Sequence, residues 1–261
     1  MSSYAGRYAE LYDLFYSDKP YQEEARFVHR CLHQWSDGPV RRLLELACGT
    51  GSHALALGKL GYEIVATDNS PDMLARARSK AEKASSRIDF RWQDMRDLDL
   101  PDRPFDAAIS LFDSIGYTVT NEDLVRTLRG VHRYLRPGGL FVFEFWNAAA
   151  MLSYFEPERI RRWPVPGGEV VRLSETTLDR EQRLARVRYT IIDLRADGTY
   201  SSYEETHVNR YFSPREMADW LSSCGFAPVK WFAGFTEDEN ISDATWHIVG
   251  VARRSAAEAA G

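Results

Sequence analysis

Three carboxylates, Glu45, Asp68 and Asp94, each close a short apolar run in the N-terminal half of the chain. The first of them leads into a glycine turn, Leu43-Leu44-Glu45-Leu46-Ala47-Cys48-Gly49-Thr50-Gly51. Glycine permits the tight turn and lets a ligand approach the backbone with no side chain between them. In a parallel sheet such a turn lies at the carboxyl end of the strand, where these folds bind ligands. A carboxylate at Asp68, ending the next strand, is placed to accept both hydroxyls of a ribose. Asp94, in Gln93-Asp94-Met95-Arg96, is placed to accept from an adenine amino group, with the backbone N–H of Met95 beside the ring. Each has a plainer reading: a loop joining strand to helix, an Asp capping the following helix, an Asp opening a turn. Three independent strand ends converging on one crevice weigh against all three plain readings at once.

The turn formally fits the dinucleotide pattern G-x-G-x-x-A over Gly49 to Ala54. Glu45 argues otherwise, because its charge would face a pyrophosphate across a poorly solvated cleft. S-adenosylmethionine (SAM) carries an ammonium and a sulfonium and no phosphate, and would tolerate that acid. An NAD-binding oxidoreductase stays open as a rival, as does a Glu45 satisfied by backbone donors.

The elements that must position these residues follow from spacing. Helical periodicity is expected over 23–36, through Ala25, Val28, Leu32 and Trp35, until Asp37-Gly38-Pro39 breaks it. Strands are expected at 40–48, 64–67, 88–92, 106–112 and 140–146, and helices at 52–60, from Ser70-Pro71 onward, and at 121–135, the last stopped by Pro137-Gly138-Gly139. Ser70 before Pro71 is a cap followed by proline at the first helical position, with Leu74, Ala77 and Ala81 as the inner stripe. Alternating strands and helices predict a parallel sheet covered on both faces. After residue 147 strand-like runs at 170–178, 184–194 and 200–212 succeed one another without a helix, which predicts an inserted antiparallel layer. A helix opened by Ser213-Pro214 and final strands at 227–235 and 245–252 complete the chain. The expected division is a cap and ligand-binding core over 1–146, an antiparallel lid over 147–212, a C-terminal helix with the last core strands over 213–254, and a flexible tail over 255–261.

Composition sets outer bounds. The 261 residues hold 33 Lys plus Arg against 38 Asp plus Glu, a net charge of -5, which argues against a general nucleic-acid binder. No apolar run approaches a membrane span, and the N-terminus lacks a signal peptide's basic start and apolar stretch. Cys31, Cys48 and Cys224 are too scattered for a disulfide scaffold, so a cytoplasmic protein with free thiols is expected. A homo-oligomer is compatible with the sequence, and no interface is legible in it.

Glu45 to Gly51, Asp68, Gln93-Asp94-Met95 and Leu135-Arg136-Pro137-Gly138-Gly139 together resemble the class I SAM-dependent methyltransferases, over roughly residues 40–146. The resemblance implies an α/β fold with a Rossmann-like seven-stranded sheet, whose antiparallel last strand matches residues 246–252. It implies Glu45 near the methionine amine, Asp68 on the ribose and Asp94 on the adenine, with Ala47, Gly49, Gly51, Asn69, Met73, Met95 and Leu111 completing the cofactor crevice. Tyr8 to Tyr16 followed by Lys19-Pro20-Tyr21 is similar to the small-molecule N-methyltransferases of antibiotic and aminosugar biosynthesis, including those of lincosamides. In that group the N-terminal segment folds over the cofactor. Tyr8 and Tyr16 inherit roles at the methyl group, and Tyr16 and Tyr21 at the cofactor. Residues 110–117 resemble the loop flanking the methyl group, which makes Tyr117 a catalytic candidate and Phe112 and Tyr117 the apolar wall at the substrate.

On the expected lid strand, Tyr203, Glu205, His207, Asn209 and Tyr211 share one face. His207 is the candidate base, with a solvated structural histidine as the plainer reading. Tyr203 and Arg210 are further candidates for substrate contact. His53 is read as structural on the cofactor side. Asp113 alone makes a poor magnesium site, and no metal is expected. The function so implied is in-line methylation of a small-molecule amine, with S-adenosylhomocysteine (SAH) as product. Small-molecule O-methylation and a catalytically silent SAM-binding domain remain as alternatives.

Overall fold

A computed structural model describes residues 4–101 and 104–255; of the expected tail over 255–261, residues 256–261 lie outside the described residues. The strands of the core are β1 (Arg42–Glu45), β2 (Glu63–Asp68), β3 (Asp89–Trp92), β4 (Phe105–Ser110) and β5 (Leu135–Trp146). The helices between and before them are α1 (Gly6–Phe15), α2 (Tyr21–Trp35), α3 (Ser52–Gly58), α4 (Pro71–Lys83) and α5 (Asn121–Tyr134). The lid follows as α6 (Ala148–Tyr154), β6 (Glu158–Val165), β7 (Gly168–Asp179), β8 (Leu184–Arg195) and β9 (Tyr200–Arg210). Then α7 (Pro214–Ser223), β10 (Phe226–Ala233) and β11 (His247–Arg254) return to the core.

The core sheet runs β10-β11-β5-β4-β1-β2-β3. Strands β1 to β5 pair in parallel, and β11 is antiparallel to both of its neighbours. The strand order reverses between β1 and β4, which opens a crevice at their carboxyl ends. Successive residues of β1 point to opposite faces, and both faces are dry. Leu43 packs with Val28, Leu57 and Ala77 on one side, and Leu44 with Leu124, Leu128 and Phe141 on the other. That double burial explains why the strands read as unbroken apolar runs. Helix α4 begins as its sequence dictates: Ser70 Oγ accepts from Met73 N–H with Pro71 in the first turn, and Leu74, Ala77 and Ala81 are buried.

The lid is a four-stranded antiparallel sheet, β6-β7-β8-β9. It leaves the core after β5 and returns at Phe212, whose N–H donates to Trp146 C=O and whose C=O accepts from Ala148 N–H. Entry and exit are thus pinned side by side. Strand β6 was not expected; it is polar, exposed and carries Pro164, as edge strands commonly do. Helix α6 was also not expected, although Asn147 Oδ1 caps it at Ala149 N–H. Strand β5 begins at Leu135, earlier than expected, because Pro137-Gly138-Gly139 is absorbed into the strand where its register against β4 shifts. Among the described residues no helix is long and apolar enough to cross a membrane.

Candidate functional site

The crevice at the switch point holds a cavity of about 330 Å³, in the range usual for small-molecule sites. Its floor is the glycine turn. Ala47, Gly49 and Gly51 all adopt positive φ, of 50°, 55° and 75°. Asp68 ties the turn to the next strand. One carboxylate oxygen accepts from Gly49 N–H at 2.8 Å and the other from Ser70 N–H at 2.8 Å. Burial raises its pKa, while these backbone donors pull it back down.

Glu45 is 2% exposed and borders the cavity, and one of its carboxylate oxygens has no hydrogen-bond partner. Burial, reinforced by the neighbouring Asp68, pushes its pKa up to about 8. An orphaned buried carboxylate is costly unless something cationic completes it. The ammonium of SAM has the required charge, so the donor set fits that cofactor. Asp94 also borders the cavity, but it is more engaged than the sequence suggests. Its two oxygens accept from the backbone and guanidinium of Arg96 at 2.6–2.9 Å, which lowers its pKa.

Helix α1 lies between core and lid. Its buried stripe is Tyr8, Leu11, Tyr12 and Phe15, at helical spacing. Below, Asp13 accepts from Thr50 Oγ1 at 2.6 Å and from Lys80 Nζ at 2.9 Å, which fastens the helix to the glycine turn. Above, Arg7 makes a two-pronged pair with Asp193 of β8 at 2.8 and 2.9 Å. Ahead of the helix, Tyr4 C=O accepts from Ser70 Oγ, and Tyr4 OH reaches Tyr117 OH. Behind the turn, Glu24 pairs with His53 at 2.6 Å and with Lys19 at 2.5 Å, so His53 braces α2 against α3.

A hydrogen-bonded line runs from the cavity wall into the lid. Tyr117 borders the cavity, and its OH meets His207 Nδ1 at 2.9 Å; His207 Nε2 meets Glu205 Oε1 at 2.7 Å. A carboxylate only accepts, so Nε2 carries the proton and Nδ1 is left to accept from Tyr117. His207 is 4% exposed and packs against Tyr4, Tyr8 and Tyr189. Burial raises the pKa of Tyr4, Tyr8, Tyr12 and Tyr117, so these phenols stay protonated and act as donors.

The loop beside Tyr117 carries two non-glycine residues at positive φ, Phe112 and Asp113, both at 56°. Such geometry persists only where surroundings enforce it. Glu144 accepts from Phe112 N–H at 2.5 Å, and His247 Nδ1 lies 3.0 Å from Asp113 and 3.2 Å from Glu144. Asp113 is therefore not the lone acid that the sequence suggests: the three side chains offer ligand atoms within 4.8 Å of one another. Asp113 pushes the His247 pKa up to about 11, and burial pushes that of Asp113 up to about 6. The imidazolium serves as counter-ion to two buried acids.

Of the residues expected at the site, Tyr21, Glu45, Ala47, Gly49, Asp68, Asn69, Met73, Asp94, Met95, Leu111, Phe112 and Tyr117 border one cavity. Gly51 stands behind its wall, where an added Cβ would lie 2.8 Å from the Phe90 ring. Tyr8 and Tyr16 form a second layer, with hydroxyls 3.5 Å apart. Tyr203 is 43% exposed at the lid edge. Arg210, expected at the substrate, is instead held by Glu216 at 2.9 Å and Asn121 at 2.8 Å, because α7 and α5 begin opposite the end of β9. Sequence reasoning missed Tyr4, Tyr12 and Ser114 at the cavity; the four-residue spacing of Tyr4, Tyr8 and Tyr12 was the available signal.

Comparison with known proteins agrees with this fold. Residues 43–139 match the family described as "Methyltransferase domain". The chain is 30% identical over 190 residues to a dTDP-3-amino-3,4,6-trideoxy-alpha-D-glucopyranose N,N-dimethyltransferase of Streptomyces venezuelae, covering 71% of this chain and 76% of the relative. The sugar N-methyltransferase KedS8 of Streptoalloteichus sp. ATCC 53650 superposes with a TM-score of 0.78 at 26% identity, covering 98% of this chain and 97% of that one. A SAM-dependent methyltransferase of Clostridium acetobutylicum shares the fold, with a TM-score of 0.81 at 21% identity over 96% of this chain and 98% of that chain.

Proposed function

Because the chain belongs to the class I SAM-dependent methyltransferases, we propose that it methylates the nitrogen of a small-molecule amine, in the manner of an aminosugar N-methyltransferase. The observation that supports methyl transfer to an acceptor that must lose a proton is the Tyr117–His207–Glu205 line, which reaches the same cavity wall as the Glu45 and Asp68 crevice, and the aminosugar N-methyltransferase relatives favour nitrogen as that acceptor. Bound SAM supplies a sulfonium methyl group and a good leaving group. Glu45 would hold its ammonium, Asp68 its ribose, and Asp94 with Met95 its adenine.

The remaining task is to present a neutral amine, since a protonated one has no lone pair. Tyr117 can take a proton from the amine while passing its own to His207 Nδ1, and Glu205 stabilises the imidazolium so formed. Tyr4 and Tyr117 fix the approach of the acceptor, and alignment to about 3 Å is where most of the acceleration lies. Phe112 and Leu111 exclude water from that side.

The test is turnover of SAM with a panel of primary and secondary amino sugars and matched hydroxyl acceptors, read by SAH release and by product mass. We expect methylated amines. His207→Ala should lower kcat roughly 10²- to 10³-fold and reshape the pH–rate profile, with SAM affinity little changed. Methylation of hydroxyls alone would replace this reading by O-methylation, which the same relay would also serve. SAM binding without turnover across the panel, or a His207→Ala profile identical to the parent, would remove the proposed chemistry.

A further inference from the structure

Tyr117 and His207 meet across two elements that are distant in the chain. Tyr117 ends the short turn Ser114–Tyr117, and His207 lies on β9 of the lid. Their 2.9 Å bond requires that turn to lie close against that strand. Gly116, beside Tyr117, shows how close it lies. A Cβ added there would be 1.9 Å from Asn209 Oδ1, 2.6 Å from Asn209 Cγ and 2.8 Å from the backbone oxygen of Arg210. Only glycine permits such an approach. The third contact is to backbone, so turning the Asn209 side chain would not clear it.

Asn209 spans the junction. It shares a face of β9 with Glu205 and His207 and is 4% exposed. Its Nδ2 donates at 3.3 Å to the C=O of Asp113, just before the turn. Its Oδ1 is buried against Gly116 and has no hydrogen-bond partner among the described residues. An unpaired buried acceptor costs stability, so stability alone would favour an apolar side chain of similar size here. The backbone on either side is anchored. Arg210, at the end of β9, is held by Glu216 and Asn121, and Asp113 is held by His247. The two anchored pieces meet through Gly116 and Asn209, beside Tyr117 and two residues from His207.

Resting on the relay reading of the site, we propose that Asn209, received by Gly116, is a positioning residue that clasps the turn to β9 and keeps Tyr117 OH within reach of His207 Nδ1. Neither residue borders the cavity, so both act through Tyr117. A displacement of about 1 Å would stretch that bond beyond hydrogen-bonding length.

Histidine side-chain NMR of SAH-loaded protein tests this without an acceptor molecule. In the parent, His207 should show one form, protonated on Nε2 and accepting at Nδ1. Asn209→Leu keeps the volume, loses the tie to Asp113 and removes the unpaired oxygen. It should keep a parental melting temperature and a dispersed amide spectrum, yet show Nδ1 released or in mixed forms. Gly116→Ala wedges the junction from the other side and should release Nδ1 as well. With the amine that the parent methylates, kcat should fall roughly tenfold to a hundredfold in either variant. The KM for SAM should stay near parental, and the pH–rate profile should move toward that of His207→Ala. A parental Nδ1 signal in Asn209→Leu overturns the proposal. So does release that comes with collapse of the amide dispersion of the lid, which would mark a packing role alone. Should the leucine variant not fold, a parental signal in Gly116→Ala decides against the clasp and a released one decides for it. A parent whose Nδ1 accepts nothing would sink the relay reading itself, whereas an intact relay in both variants sinks this inference alone.

Discussion

Replacement of Asp68 by alanine is expected to weaken SAM binding roughly 10²- to 10³-fold, about 3–4 kcal/mol. Two losses combine. The carboxylate is 8% exposed and accepts from Gly49 and Ser70, so its removal strands two backbone donors at the mouth of the crevice. It also removes the acceptor placed for the ribose hydroxyls, and charge-assisted bonds of this kind are each worth about 1.5–3 kcal/mol. Asp68→Asn keeps the shape and one accepting oxygen, and should lose only about tenfold to thirtyfold. Calorimetry at a temperature where both variants are folded separates the two. Parental affinity in Asp68→Ala would refute the ribose assignment.

The second large effect concerns stability. His247→Ala leaves Asp113 and Glu144, 3% and 2% exposed, facing each other without their cation. Breaking a buried pair usually costs about 3–5 kcal/mol, but the imidazole side chain here is 43% exposed and solvent discounts the figure to about 2–3 kcal/mol. In a chain of this size that lowers the melting temperature by about 4–12 °C. The pH dependence has a definite sign. The folded pKa of His247, raised to about 11, lies above the unfolded value, so its contribution is complete below about pH 6.5 and fades as pH rises toward 11. The gap between parent and variant should therefore narrow from pH 7 to pH 9. Equal melting temperatures at pH 7 would show that the cluster does not brace the loop. Loosening of Phe112 and Asp113 should accompany the loss, visible as faster amide exchange at Phe112.

The sequence made the scaffold legible where local chemistry decides structure. Ser70-Pro71 announces a helix start, and the apolar runs before Glu45, Asp68 and Ser110 read as buried strands because both sheet faces are covered. The three strand-end acids were legible for the same reason: in a parallel sheet, position along the chain translates directly into position at the crevice. What sequence concealed depends on long-range approach. Glu205 and His207 share a face by simple alternation, yet nothing local says that Tyr117 will meet them from a loop ninety residues earlier. Glu144 and His247 sit on strands that become neighbours only when β11 inserts beside β5. Strand β6 was hidden because an exposed edge strand shows neither apolar alternation nor a buried run.

A cationic arm of an adenosine ligand held against Glu45 would make SAM affinity depend on pH. The ionised carboxylate is the binding form, and it is poorly populated below a pKa of about 8. Between pH 6 and 8 the affinity of the parent should rise by up to about tenfold per unit and then level, while Glu45→Gln should bind weakly and without that slope. A parent whose affinity is flat across this range, or a Glu45→Gln variant with the same slope and strength, would contradict the account.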